Sequence, residues 1–214
     1  MSKYDKFDLD TNPFERTIAD EETARTYSIV GRDDQEARLD EFVQDALQHP
    51  ENMSRSLVFG DYGTGKSHHL IQLRDDLKDG VEVDGSTHHA IGVYVGNLGL
   101  SIKSLYLEII EEVLNFAPEL EDFVEGLEPV EPESSVEKTF EVEQLMKNVA
   151  TNLRKLSQEA TAEHDYNSIF IFIDEAEDVV SAEESEVKDF VRSFLHVVNE
   201  LSAARIHILL GFSQ

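Results

Sequence analysis

The stretch Ser56–Leu70, SLVFGDYGTGKSHHL, decides how the rest of the chain is read. Its first residues, Ser56-Leu57-Val58-Phe59, form a short apolar run that ends in glycine, the pattern of a buried strand. The next eight, Gly60-Asp61-Tyr62-Gly63-Thr64-Gly65-Lys66-Ser67, fit G-x-x-x-x-G-K-S/T at every position. The glycines let the backbone turn back on itself, with its N–H groups facing phosphate oxygens. A helix that starts here offers its positive end to the same anion. Lys66 supplies a mobile positive charge for the outer phosphates, and Ser67 a hydroxyl for Mg²⁺.

A second stretch completes the chemistry. Ile169-Phe170-Ile171-Phe172-Ile173, the most hydrophobic run in the chain, leads straight into Asp174-Glu175. A buried strand that ends in an acid puts that carboxylate at the sheet edge where ligands bind in open α/β folds. Asp174 is then placed to hold Mg²⁺ through water, and Glu175 to polarise an attacking water. The competing reading is that both acids merely open a solvated helix together with Glu177 and Asp178. The adjacent acid pair points to hydrolysis of a nucleoside triphosphate rather than to kinase transfer.

Outward from these two stretches, strands and helices alternate. Leu39, Phe42, Val43, Ala46 and Leu47 repeat at helical spacing before the loop. DGVEVDGS reads as a turn-rich connector, and His89–Gly96 as a further buried strand. Ile102, Leu105, Ile109, Val113 and Phe116 mark an amphipathic helix, and 136–160 another. Val187, Phe190, Val191, Phe194, Val198 and Leu201 predict one apolar face on the last helix. RIHILLGFSQ is the fourth main strand. Apolar strands that alternate with helices predict an α/β fold, a mostly parallel sheet with helices on both faces. Residues 1–28 read as a polar arm, 29–214 as one core, and 117–137, with three of the five prolines, as an exposed acidic insertion. His68-His69 and His88-His89 lack a convergent ligand set and read as packing or surface residues.

Composition bounds the setting. There are 45 acidic and 18 basic residues, for a formal net charge of −27. Such like charge repels itself unless screened. In molar salt the Debye length falls to about 3 Å, which suits a halophilic protein. A specialised acidic binding surface is the alternative. The scattered Lys and Arg offer no stripe for gripping DNA phosphates. Cysteine is absent, in keeping with a reducing cytoplasm. No apolar run reaches the ~18 residues that span a bilayer, so no membrane partner is expected.

The sequence resembles the AAA+ class of P-loop ATPases. FGDYGTGKSHHL and IFIFIDEAEDV look like its Walker A and Walker B motifs. IVGRDDQEARLDEFV resembles the VGR box of the origin-recognition (archaeal initiator-like) and STAND types, although its acid falls one residue late, at Gln35-Glu36. The resemblance implies a three-layer P-loop NTPase fold, Mg²⁺ and ATP as ligands, and ATP hydrolysis. It implies Val30, Gly31 and Arg32 near the adenine. It implies a sensor for the terminal phosphate at Gln214, where the family has Asn. It also implies a sheet order of 5-1-4-3-2, of which this chain supplies four strands. The chain is therefore expected to be an N-terminal piece that lacks the lid and later domains. DNA contact through those domains, other AAA+ subunits as partners, a role in DNA replication and a haloarchaeal cytoplasm follow by the same resemblance. Two alternatives stand beside it: a STAND- or BREX-like defence ATPase, and a scaffold that binds nucleotide without hydrolysing it.

Overall fold

The computed structural model describes residues 33–61, 63–130 and 138–213. The elements in chain order are α1 (Asp33–Gln48), β1 (Arg55–Gly60), α2 (Lys66–Asp79), β2 (Val81–Val83), β3 (Ser86–His88), β4 (Ile91–Val95) and α3 (Ile102–Phe116). The short helix α4 (Glu121–Glu125), α5 (Lys138–Glu163), β5 (Ile169–Ile173), α6 (Glu184–Glu200) and β6 (Ile206–Ser213) follow. The main sheet has the order β1-β6-β5-β4 and every neighbouring pair in it is parallel. With the β2–β3 hairpin set aside, this is the 1-4-3-2 portion of the expected order.

The alternation of β5 builds the three layers. Ile169, Ile171 and Ile173 face a core shared with α3, α5 and α6. Phe170 and Phe172 face a second core with α1 and α2. All five are buried, each contributing roughly 1.5–3 kcal/mol of apolar burial. The central strand is thus fixed from both sides, and with it the position of Asp174 at its end. Ser101 opens α3 by accepting the Ser104 N–H on its Oγ at 3.2 Å. The predicted stripe of α3, from Ile102 to Phe116, is buried as the spacing required.

Several sequence expectations need correction. The turn-rich connector is an antiparallel hairpin, β2–β3. Asp84 (φ 50°) and Gly85 (φ 79°) supply the two left-handed residues of its turn. Within 117–130 the acids are exposed, as expected, but the stretch is docked on the core. Ala117 and Leu120 are fully buried, and Phe123, Val124 and Val130 pack on the core. On α6, Val191 is 41% exposed, while Phe190, Val197 and Val198 are buried. The helix lies turned so that Val191 and Leu195 face outward. β1 is not a buried strand: it lies at an edge of the described sheet, with Leu57 and Phe59 more than half exposed and Phe59 stacked on Phe212.

His207 is a buried polar group inside β6. Its Nδ1 accepts the Ser54 amide at 3.2 Å, and its ring lies 4.7 Å from that of Phe170. Burial pushes its pKa down to about 4, against the pull of Asp45. The unfolded chain therefore binds a proton near pH 6.5 that the folded chain refuses until about pH 4. His207 costs no stability above pH 6.5, and stability falls as the pH drops from there to about 4, by up to about 3 kcal/mol. Urea unfolding across this window should lose stability towards acid pH more steeply in the wild type than in His207→Leu. Equal slopes would contradict the assignment.

The acidic surface is locally crowded as well. Asp76 is raised by burial, then by Asp40, Asp75, Asp79 and Glu36. Asp40 is raised by burial, then by Glu36. A raised carboxylate destabilises the fold as pH rises through its folded pKa, and salt relieves the repulsion. Asp76→Asn should raise the melting temperature slightly in dilute buffer, by a few tenths of a kcal/mol for such exposed charges. The gain should shrink in molar KCl, where the wild type itself should be more stable. A wild type that loses stability as KCl rises would refute this electrostatic account.

Candidate nucleotide site

The loop between β1 and α2 is set by its glycines. Gly63 and Gly65 sit at φ 76° and 84°, where a side chain would be strained. Gly65 is also the N-cap of α2, and its carbonyl accepts the His69 amide at 3.0 Å. The loop folds on itself through the Thr64 amide, which donates to the Asp61 carbonyl at 3.2 Å.

Lys66 is buried at the first position of α2 and reaches back over the loop. Its Nζ donates to the carbonyls of Gly60 (2.9 Å) and Asp61 (3.1 Å). Its charge thus rests on neutral acceptors at the mouth of the loop. Ser67 follows at the next helical position.

Asp174 stands at the end of β5, 2% exposed. Its Oδ1 accepts the Glu175 amide at 2.9 Å, and its Oδ2 accepts the Tyr94 hydroxyl at 3.0 Å. Its own amide donates to the Val95 carbonyl at 2.8 Å, which ties it to β4. Gly211 of β6 makes the room. A Cβ there would lie 2.9 Å from Asp174 Oδ1, so a side chain would push the carboxylate aside. Glycine within an apolar strand signals such a close approach. Sequence reading passed over both Gly211 and Tyr94.

Glu175 turns the chain sharply. It holds φ 48° and ψ 38°, a left-handed conformation that costs a non-glycine residue about 1–2 kcal/mol. Strain of this kind gathers at functional sites. The side chain is exposed, and a 3₁₀ turn, Ala176–Ser181, follows. The pair Asp174-Glu175 therefore ends the strand and does not open an α-helix. Burial first, then Asp178, Asp174 and Glu177, raise the Glu175 pKa, while Lys66 opposes them. A raised carboxylate is a stronger base once ionised. Glu177 goes the other way. Burial would raise it, but the Ser213 amide and hydroxyl, its own backbone and Lys66 outweigh that and hold it below the usual range.

The structure therefore gathers Gly60, Gly63, Gly65, Lys66, Ser67, Asp174 and Glu175 at one end of the sheet. Val30, Gly31, Arg32, Tyr62 and Gln214 lie outside the described residues. The histidine pairs have structural roles where their partners are seen. His88 Nδ1 meets Asn167 Nδ2 at 3.1 Å, and His89 Nδ1 meets the Lys78 carbonyl at 3.2 Å. Among the described residues no three or more His, Cys, Asp or Glu side chains gather to hold a metal by themselves. The oxygens of Ser67 and Asp174 suit Mg²⁺, which takes few protein ligands and keeps water and phosphate for the rest. Among the same residues, no helix is long and apolar enough to cross a membrane.

No protein-family model and no curated protein matches this sequence. Among solved structures, the chain is similar to the Aeropyrum pernix ORC2 protein, determined in ADPNP–ADP complexes. The TM-score is 0.47 at 13% identity, over 88% of this chain and 43% of that one. This chain thus spans less than half the length of that protein.

Proposed function

We propose that this chain is a nucleotide switch domain that binds Mg·ATP and hydrolyses it, in the manner of an AAA+ initiator of the origin-recognition type. The observation that supports this most is the joining of the loop lysine to the strand-end acid pair. Lys66 lies on the loop carbonyls, and β6, paired with Gly60 at Ser213 and abutting Asp174 at Gly211, sets the loop and the acid pair at the same end of the sheet.

On this reading the phosphates of ATP lie on the loop amides from Gly60 to Ser67, at the N-terminus of α2. Lys66 leaves the Gly60 and Asp61 carbonyls for the β- and γ-phosphate oxygens, exchanging neutral acceptors for charged ones. Ser67 and Asp174 hold Mg²⁺, which supplies positive charge against the phosphate oxygens. Glu175, exposed and with a raised pKa, takes the proton of the attacking water. Asp174, 2% exposed and assigned to the metal, is given no part in this proton transfer. Val30, Gly31 and Arg32 are assigned to the adenine, and Gln214 to the terminal phosphate, by resemblance. By the same resemblance, DNA and further AAA+ subunits are the proposed partners, in a halophilic cytoplasm.

Phosphate release from Mg·ATP tests the reading, in dilute buffer and in molar KCl. Turnover that Lys66→Ala removes is expected. Tight ATP binding without phosphate release would favour a scaffold that only binds the nucleotide.

A further inference from the structure

Tyr94 belongs to β4, paired across the sheet with Phe172 of β5. It is half-buried against the core formed with α1 and α2. Its hydroxyl reaches beyond the strand ends and donates to Asp174 Oδ2 at 3.0 Å. One side chain of β4 therefore holds the carboxylate at the end of β5 that is assigned to the metal.

The direction of the bonds matters. The Tyr94 proton is committed to Asp174 Oδ2, and Asp174 Oδ1 is held by the Glu175 amide. Each carboxylate oxygen is thus fixed in place by one donor while keeping a lone pair for a cation.

We propose that Tyr94 is a positioning residue for the divalent cation, orienting the Asp174 carboxylate that is assigned to hold it. This rests on the metal and nucleotide assignment made above. It extends that assignment by naming the group that sets the ligand geometry. Partners in the outer shell of a metal site typically change its metal affinity 10–100-fold. Tyr94→Phe keeps the ring and its packing and removes the hydrogen bond to Asp174.

The test is Mn²⁺ binding to the full chain, followed by electron paramagnetic resonance in the presence of a non-hydrolysable ATP analogue. Tyr94→Phe should weaken Mn²⁺ binding by about 10-fold or more. Binding of the analogue in EDTA should stay within about twofold of wild type. In an Asp174→Asn background the Tyr94→Phe effect should largely vanish, because Tyr94 acts through that carboxylate. Unchanged Mn²⁺ affinity in Tyr94→Phe would overturn the proposal. So would an equal loss in both backgrounds, which marks a purely structural role. A wild type whose analogue binding gains nothing from Mn²⁺ would overturn the metal assignment itself, whatever Tyr94 does.

Discussion

Lys66→Ala is expected to lose nucleotide binding. Lys66 already lies over the loop, 2.9 Å and 3.1 Å from the Gly60 and Asp61 carbonyls, so a short movement takes its charge to a bound phosphate. Hydrogen bonds to charged groups contribute roughly 1.5–3 kcal/mol each. Two such bonds to phosphate oxygens correspond to a weakening of about 100-fold or more. The substitution also removes the side chain that closes the loop, at a stability cost of about 1–2 kcal/mol. Titration with a fluorescent ATP analogue, alongside thermal melting, separates the two effects. A folded Lys66→Ala protein that binds ATP like wild type would mean that the loop does not receive the phosphates.

Glu175→Gln should behave in the opposite way, retaining nucleotide and losing turnover. A positioned general base contributes typically 10²–10⁴-fold, and the amide cannot take a proton. The side chain is exposed and no fold contact depends on its charge, so melting should change little. The neighbouring acids repel one another, and removing one charge relieves Asp174, Glu177 and Asp178. Binding of Mg·ATP should therefore be equal to wild type or slightly tighter. Since the Glu175 pKa is raised, the acid limb of the wild-type rate profile should lie above the ordinary carboxylate range. Wild-type turnover in Glu175→Gln would move the base elsewhere.

The fold was legible where the sequence repeats a simple physical pattern. Five apolar residues followed by two acids left few alternatives for β5 and its edge position. The i, i+3, i+4 repeat of α3 predicted its buried face, because one helix packs on one sheet. The reading failed where neighbours decide. Val191 shares the period of α6 but points away from the core, and periodicity alone cannot say how wide the covered face is. The acids of 117–130 suggested exposure, yet Leu120 and Ala117 anchor that stretch, since a few apolar residues suffice to dock it. The hairpin at Asp84-Gly85 carried its own signal, a D-G pair between short alternating segments, and was passed over as a connector.

The candidate site was legible in its motifs and not in its geometry. Local spacing shows that Lys66 and Ser67 open a helix and that Asp174 ends a strand. Nothing local shows that Tyr94, 80 residues before Asp174, donates to it. Nor does it show that Gly211 clears the space beside the same carboxylate. Both contacts arise only because β4, β5 and β6 lie side by side.

The central claim is that Lys66 and Glu175 serve one hydrolytic site on bound Mg·ATP. Acid quenching of a single turnover tests it most directly, with excess protein mixed with radiolabelled ATP and Mg²⁺. The wild type should convert its bound ATP to ADP, while Glu175→Gln holds it as ATP for at least about 100 times longer. Conversion at equal rates in the two proteins, or wild-type protein that binds ATP and never cleaves it, would contradict the account.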